Sequence, residues 1–252
     1  MQCGLGRTET GNFNPNEYYT VDYFSGRCAD GYADYQGAEN VLRREFARSV
    51  QFVREQKADG RLLDVGCAYG FFLEEAKPFY EVAGIELAEG AARSCRERGL
   101  RVVTGIADEV AFAQLGTMDV IVLLDVIEHL PDPRATLTLC AHYLNPDGIV
   151  VITTGDFDSI YARLAGRHWR LMTPPQHLWF FTPESLRRML RAVGLQMELC
   201  DHPGKLVPLS LLVFQMRRMM HLRSSRHTAA SSMGIPVNLF DAMRCVFRKR
   251  SI

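Results

Sequence analysis

The stretch LLDVGCAYGFF, from Leu62 to Phe72, constrains the fold of this chain more than any other. A short apolar run ending at Asp64 and Val65 leads into a turn that contains Gly66 and Gly70. Such a run is typical of a strand buried on both faces of a parallel sheet, and glycine lets the backbone turn sharply and approach a ligand. With a helix expected from Phe71 to Lys77, the stretch predicts the first half of a βαβ nucleotide-binding unit.

The second half of this unit is expected at Val82–Leu87, another apolar run, with Glu86 near its carboxyl end. Glu86 lies about 20 residues after the glycine turn, which is the spacing of a ribose-binding acid, and a carboxylate can accept both ribose hydroxyls. The turn is neither GxGxxG nor a P-loop, because Ala68 replaces the middle glycine and no GK[ST] follows. A cradled triphosphate is therefore disfavoured, while an NAD-dependent enzyme stays an alternative.

A central strand is predicted at Met118–Asp125, which is almost continuously apolar. The residues VIEHLPDP follow it, so that Asp125, Glu128 and His129 are expected at the carboxyl end of the strand. Ligands of open α/β sheets bind at this edge. A further strand is expected at Ile149–Thr154.

Four ordered motifs, DVGCAYG, GIE, DVIVLLDVIEHLPDP and YLNPDGIVVITT, resemble those of class I S-adenosylmethionine (SAM)-dependent methyltransferases, in the group that includes the ubiquinone-pathway O-methyltransferases. The resemblance implies a doubly wound, Rossmann-like α/β fold. Its seven-stranded sheet would have the order 3-2-1-4-5-7-6, with Asp241–Lys249 as an antiparallel strand 7. It also implies SAM as cofactor and S-adenosylhomocysteine as product. The implied cofactor-binding residues are Asp64, Gly66, Cys67, Ala68, Gly70, Glu86, Leu87, Ala107, Leu124 and Asp125.

One position departs from the family pattern. The segment GIADEVAF aligns with the family's GDAEDLPF, whose acid contacts the adenine amino group, and here Ile106 stands at that acid's position. Adenine recognition is therefore assigned to backbone groups near Ala107 or to Asp108.

Methyl transfer from a sulfonium requires alignment of the reactants and removal of a proton from the acceptor. His129 is the first candidate base, since a neutral imidazole can deprotonate a phenol or enol near neutral pH, and His177 is the second. Alternatively, His129 orients the loop or a water. The order Asp125, Glu128, His129 is also similar to the ExxEH of ubiquinone-pathway O-methyltransferases, with which a divalent cation is associated. Two carboxylates and a histidine could hold Mg²⁺, but we assign no metal.

Acceptor contacts are expected from two aromatic segments. In this family the connection after the fifth strand commonly builds the substrate wall, which implies contacts from His168, Trp169 and Trp179. The tyrosine-rich segment 18–35 is either a cap that packs on the helices or a lid over the cofactor. In the lid interpretation, Tyr23 and Tyr32 contact the substrate.

The expected domain organisation has three parts. Residues 1–56 form an arm, the aromatic cap and a lead-in helix, and residues 57–204 with 236–252 form the methyltransferase domain. Residues 205–235 are expected to be a helical insertion, which is too short and too charged at its end to span a bilayer. It either covers the substrate site or makes a homodimer contact, or else it is an interfacial helix that grips a lipid-linked substrate.

Composition narrows the function classes. With 29 basic and 29 acidic residues the formal charge is zero, so nucleic acid is not an expected partner. Seven scattered cysteines, no CxxC pair and no signal-like start favour a cytoplasmic protein with reduced thiols. We therefore expect an enzyme that methylates a small aromatic or lipid-like acceptor at oxygen. The alternatives are C- or N-methylation, or a SAM-binding subunit without catalysis.

Overall fold

The predicted βαβ unit lies at the centre of the sheet in the computed structural model, which describes residues 4–9, 35–209 and 233–249. The described helices are α1 (Glu39–Gln56), α2 (Phe71–Ala76), α3 (Glu89–Glu97), α4 (Glu109–Leu115), α5 (Pro133–Tyr143), α6 (Ile160–Ala165) and α7 (Pro183–Arg191). The described strands are β1 (Gly6–Arg7), β2 (Arg61–Val65), β3 (Glu81–Glu86), β4 (Arg101–Thr104), β5 (Met118–Leu124), β6 (Leu144–Gly155), β7 (Trp179–Phe180), β8 (Leu195–Asp201), β9 (Lys205–Pro208), β10 (Gly234–Val237) and β11 (Ala242–Lys249).

The main sheet has seven strands in the order β4-β3-β2-β5-β6-β11-β8. The strands from β4 to β6 pair in parallel, whereas β11 pairs antiparallel with both β6 and β8. Counted among the seven main strands, this is the order 3-2-1-4-5-7-6 with an antiparallel strand 7. The expected class I fold is therefore confirmed.

Both faces of the sheet are buried, as its continuous apolar strands predict. Ile121 on β5 packs with Leu63 on β2 in one core cluster. The neighbouring Val120 and Val122 pack with Leu62 in a second cluster on the other face. This alternation fixes the register of the central strands, because a shift by one residue would exchange the two faces.

The structure differs from expectation in the insertion. Lys205–Pro208, predicted as the start of a helix, forms β9 and pairs antiparallel with β10. The helix prediction is wrong for these residues: Leu206 and Pro208 are buried while their neighbours are half-buried, which is the period of two of a strand. Gly234 and Ile235, at the other end of the predicted insertion, belong to β10. Residues 210–232 of the insertion lie outside the described residues, as do Tyr23 and Tyr32.

The connection after β6, residues 157–179, contains regular structure: α6 and a 3₁₀ turn at Gly166–His168. The side chain of Ser159 caps α6 by accepting a hydrogen bond from the backbone N–H of Ala162. Among the described helices, none is long and apolar enough to cross a membrane.

Candidate active site

The glycine turn after β2 is fixed by backbone bonds to β3. The N–H groups of Gly66 and Cys67 both donate to the carbonyl oxygen of Ile85, at 2.8 and 3.2 Å. Gly66 has a φ of 79°, and a Cβ placed there would lie 2.6 Å from Cγ2 of Val126. Only glycine fits this position, because both the dihedral angle and the close approach exclude a side chain.

Glu86, the last residue of β3, connects the turn to the following helix. Its Oε2 accepts a hydrogen bond from the N–H of Ala68 at 2.7 Å, and its Oε1 accepts one from the N–H of Ala88 at 2.8 Å. Burial raises the pKa of Glu86, although the backbone hydrogen bonds oppose this shift. Each carboxylate oxygen has a second lone pair, so Glu86 keeps acceptor capacity for a ribose hydroxyl.

Asp64 lies beneath the same turn and is only 3% exposed. Burial, together with the nearby carboxylate of Glu86, raises the pKa of Asp64 well above its usual value. Two buried carboxyl groups therefore stand close together at the carboxyl ends of β2 and β3. A positively charged ligand at this edge would favour their ionised forms.

Asp125 follows β5 in a left-handed conformation, with a φ of 56°. Its Oδ1 accepts a hydrogen bond from the hydroxyl of Thr153 at 2.9 Å, and Lys205 on β9 forms an ion pair with its Oδ2 at 2.5 Å. Desolvation opposes the ionised form, but Lys205, Thr153 and Arg170 together outweigh it and lower the pKa of Asp125. One end of the insertion thus reaches the ligand edge of the sheet.

The remaining residues assigned to the cofactor lie along this edge. Leu87 directly follows β3, Leu124 ends β5, and Ala107 lies between β4 and α4. The side chain of Asp108 caps α4 by accepting a hydrogen bond from the N–H of Ala111 at 2.9 Å. The cap uses Oδ1 of Asp108, and Oδ2 keeps acceptor capacity, so Asp108 and the backbone near Ala107 both stay candidates for the adenine contact.

Glu128, His129 and His177 meet on the acceptor side of the edge, with one donor atom from each within 4.8 Å of the others. The imidazole rings of His129 and His177 contact each other edge to face. Glu128 is 5% exposed, and Thr154 hydrogen bonds to its carboxyl group. Within the described part of the chain, its Oε2 has no hydrogen-bond partner.

Backbone carbonyls define the tautomers of both histidines. Nδ1 of His129 lies 2.9 Å from the oxygen of Gln176, and Nδ1 of His177 lies 2.7 Å from the oxygen of Leu171. A carbonyl oxygen only accepts, so both Nδ1 atoms carry the proton and the neutral rings have their lone pairs on Nε2. Burial lowers the pKa of both histidines, and with the help of His129 it brings that of His177 to about 4. Burial conversely raises the pKa of Glu128.

A cavity of about 10 Å³, which we call the niche, adjoins this cluster. Its lining residues are Glu128, Thr154, Gly155, Trp169, Leu171, His177, Trp179 and Phe180. This volume holds about one water-sized group. The structure therefore brings Trp169, Trp179 and His177 together as lining residues. His129 lies behind His177, and His168 is exposed on the 3₁₀ turn and does not line the niche.

Two imidazoles and a carboxylate are donor types that could hold a divalent cation. The fitting set is Glu128, His129 and His177, and the unpartnered Oε2 of Glu128 is consistent with it. Asp125 is not part of this set, because its carboxylate is bonded to Thr153 and Lys205. A cation held here would act as a Lewis acid on an acceptor oxygen.

Sequence reasoning missed two polar contributors, Asp241 and Lys205. Asp241 directly precedes β11 and binds the side chains of both Trp169 and Arg170. An acidic residue just before an antiparallel strand could have indicated a residue at the site, because that strand begins at the edge where its parallel neighbours end. Lys205 lies in an apolar segment, and nothing in the sequence around it indicates a role at the site.

The comparisons with known proteins agree with this geometry. A family model described as a methyltransferase domain matches residues 38–199. A ubiquinone biosynthesis O-methyltransferase from Xanthomonas axonopodis pv. citri is 30% identical over 205 residues, which are 75% of this chain and 84% of the relative. The chain belongs to the SAM-dependent methyltransferases.

Solved structures show the same fold. The YcgJ protein of Bacillus subtilis has a TM-score of 0.58 at 16% identity, covering 83% of this chain and 99% of its own. Magnesium protoporphyrin IX methyltransferase from Synechocystis PCC 6803, solved with bound S-adenosylhomocysteine, has a TM-score of 0.53 at 14% identity and covers 84% of both chains. As a member of the SAM-dependent methyltransferases, this enzyme uses SAM as its cofactor and transfers the methyl group to a small-molecule acceptor.

Proposed function

We propose that this enzyme methylates a hydroxyl oxygen on a small aromatic acceptor. The observation that carries the proposal is the niche, which has room for one hydroxyl-sized group beside Glu128 and His177 and has walls of Trp169, Trp179 and Phe180. A hydroxyl can donate one hydrogen bond to these acceptor atoms, while the attached ring lies outside the niche against aromatic side chains. The O-methyltransferase name of the relative from Xanthomonas axonopodis pv. citri supports oxygen as the methylated atom.

The cofactor would be held by the glycine turn and Glu86, and it supplies a methyl group activated by the positive charge on sulfur. Gly66 allows the backbone of the turn to come close to it. Glu86 keeps the turn in shape through Ala68, and its remaining lone pairs would be available to accept from a ribose hydroxyl. The contribution of these residues is alignment, which is a large part of catalysis when the leaving group is already activated.

Proton removal is assigned to His177 together with Glu128. Nε2 of His177 accepts the proton of the hydroxyl, and the neighbouring carboxylate of Glu128 stabilises the imidazolium that forms. The proton then passes to solvent. His129 supports the His177 ring through their edge-to-face contact. We propose His177 ahead of His129 as the base, because His177 lines the niche and His129 is not among its lining residues.

The test is a panel of acceptors that differ only in the attacking group. Purified enzyme is incubated with SAM and with 3,4-dihydroxybenzoate, 4-hydroxybenzoate, 4-aminobenzoate or benzoate, and the release of S-adenosylhomocysteine is measured. We expect turnover with the hydroxyl compounds, and product mass and NMR spectra should show an O-methyl group. Methylation of the amine or of ring carbon would instead support an N- or C-methyltransferase.

Calorimetric titration of SAM separates the remaining alternatives. Binding of SAM without turnover of any hydroxyl acceptor would favour a non-catalytic partner subunit. Tighter binding of NADH than of SAM would contradict the cofactor assignment as well as the proposed reaction.

A further inference from the structure

Asp241 is among the most completely buried charged side chains in the described residues, with 1% of its surface exposed. Its Oδ2 accepts hydrogen bonds from Nε1 of Trp169 at 2.8 Å and from Nε of Arg170 at 2.9 Å. Its Oδ1 accepts a third from Nη2 of Arg170, also at 2.9 Å. The carboxylate therefore holds an indole and a guanidinium at once, the latter in a bidentate pair.

The indole that Asp241 holds is a wall of the niche. Trp169 is 3% exposed, and its ring lies against Phe157 and Phe180. A Cβ on Gly155 would lie 2.8 Å from Cη2 of Trp169, so the ring occupies the space that this glycine leaves. The ring is thus held from two sides, by packing at Gly155 and by the hydrogen bond to Asp241.

The sheet topology explains why a residue so late in the chain reaches the acceptor side. β11 is antiparallel to β6, and its first residue, Ala242, is in register with Gly155 at the end of β6. The residue before β11 consequently lies at the ligand edge, where the N–H of Asp156 donates to the carbonyl oxygen of Asp241 at 2.9 Å. The residue before the antiparallel strand therefore contacts Trp169, a wall residue of the niche, without lining the niche itself.

We propose that Asp241 is a positioning residue for the acceptor: by fixing the Trp169 indole, and Arg170 beside it, it sets the shape of the niche and so determines which acceptors fit. Asp241 does not line the niche and acts through Trp169. This inference rests on the proposed function, since it assigns the niche to the reacting group of the acceptor. A displaced wall misaligns the acceptor while the glycine turn and Glu86, which hold the cofactor, remain unchanged.

The experiment compares Asp241→Asn with Asp201→Asn as a matched control. Asp201 also forms a bidentate pair with an arginine, Arg244 on β11, but it contacts no residue of the niche. With 3,4-dihydroxybenzoate as the acceptor, we expect D241N to raise the acceptor KM at least about tenfold, because small misplacements of a reactant are costly. The calorimetric Kd for SAM should stay within about twofold, and D201N should change neither quantity.

A second measurement does not depend on turnover. The chain has two tryptophans, so Trp179→Phe leaves Trp169 as the sole indole. In that background, D241N should shift the Trp169 emission and increase its quenching by acrylamide, and D201N should not. This arm still tests the positioning role if the hydroxyl compounds prove not to be acceptors, so that failure of the proposed function and failure of this inference are distinguishable.

Trp169→Phe keeps the ring packing but removes the indole N–H. This variant replaces D241N as the test of the positioning role if D241N does not fold. It should also raise the acceptor KM without weakening SAM binding. If Asp241 acts through Trp169, the effects of D241N and W169F on KM should be clearly less than additive. Additive effects, an unchanged Trp169 emission, or an equal loss of SAM affinity would overturn the proposal.

Discussion

The imidazole rings of His129 and His177 lie edge to face, with their centroids 4.7 Å apart. His129 follows the central strand, whereas His177 belongs to the connection after β6, and each ring is oriented by a different backbone carbonyl. Because only His177 lines the niche, the two rings have unequal expected roles. We expect His177 to contact the acceptor and His129 to hold the ring of His177 in place.

Replacing His177 with glutamine should therefore lower kcat more than the same change at His129. We expect a loss of about 100-fold or more for H177Q, the usual contribution of a positioned general base, with SAM affinity retained. H129Q should lower kcat by a smaller factor, because it acts only through the orientation of His177. His142, which is exposed on α5, provides the control H142Q. Steady-state rates measure all three variants, and equal activity of H177Q and wild type would refute the assignment.

The pH dependence of the reaction follows from the same ring. The pKa of His177 is lowered to about 4 by burial and by His129, so the ring stays neutral well below the pH at which an ordinary histidine takes up a proton. We expect kcat/KM to hold as the pH falls through about 6.5 and to decrease only as it approaches about 4. A fall in rate centred near pH 6.5 would contradict this.

The same depressed pKa affects stability in a defined direction. Between the unfolded and folded pKa values, the unfolded chain binds the proton that the native state excludes, so the native state loses stability as the pH falls through this window. The melting temperature, measured at intervals from pH 7 towards pH 4, should fall more steeply for the wild type than for H177Q. Rates at low pH should accordingly be measured after brief exposure.

Removing the carboxylate of Glu86 should weaken cofactor binding. In Glu86→Ala the turn loses its bond to Ala68 and the ribose loses a charged acceptor, so we expect the Kd for SAM to rise about 10- to 100-fold. Glu89→Ala, at an exposed acid in the first turn of α3, is the control. Calorimetry with SAM and with S-adenosylhomocysteine measures both variants. An unchanged Kd in E86A would remove Glu86 from the site.

The central strand should dominate the stability of the fold. Leu123 on β5 is fully buried, so Leu123→Ala should lower the free energy of unfolding by about 2–5 kcal/mol through lost burial and the cavity left behind. Leu164 on α6 is 83% exposed, and Leu164→Ala should change it by less than about 0.5 kcal/mol. Denaturant titration measures both, and a small effect at Leu123 would mean that the two core clusters can repack.

The parallel part of this fold could be predicted because each strand is a contiguous apolar run with a distinctive residue at or just after its end, such as Gly66, Glu86 or Asp125. The β9–β10 pair was missed since Pro208 and Pro236 lie within its short strands, and proline argues against a strand unless that strand is an edge. Both strands of a two-stranded sheet are edge strands, and no local sequence pattern identifies such a pair.

The acceptor side was harder to predict for a different reason. The meeting of His129 with His177 depends on contacts between distant segments, including the bond from the N–H of Leu178 to the oxygen of Glu128 at 2.8 Å. Such contacts arise in a connection without a regular period, so neither helical nor strand spacing reports them. Residue types at this site could be read from the sequence, but their order around the niche could not.

The two backbone bonds of Glu86 have a kinetic consequence. They connect the turn after β2 and the start of α3 through contacts within the chain. A preorganised loop has little conformational entropy left to lose on association, so less of the binding energy is spent on ordering the protein. Cofactor capture at this end of the sheet should accordingly behave as a single rapid step, with an association rate set by diffusion and access and with no slow rearrangement following it.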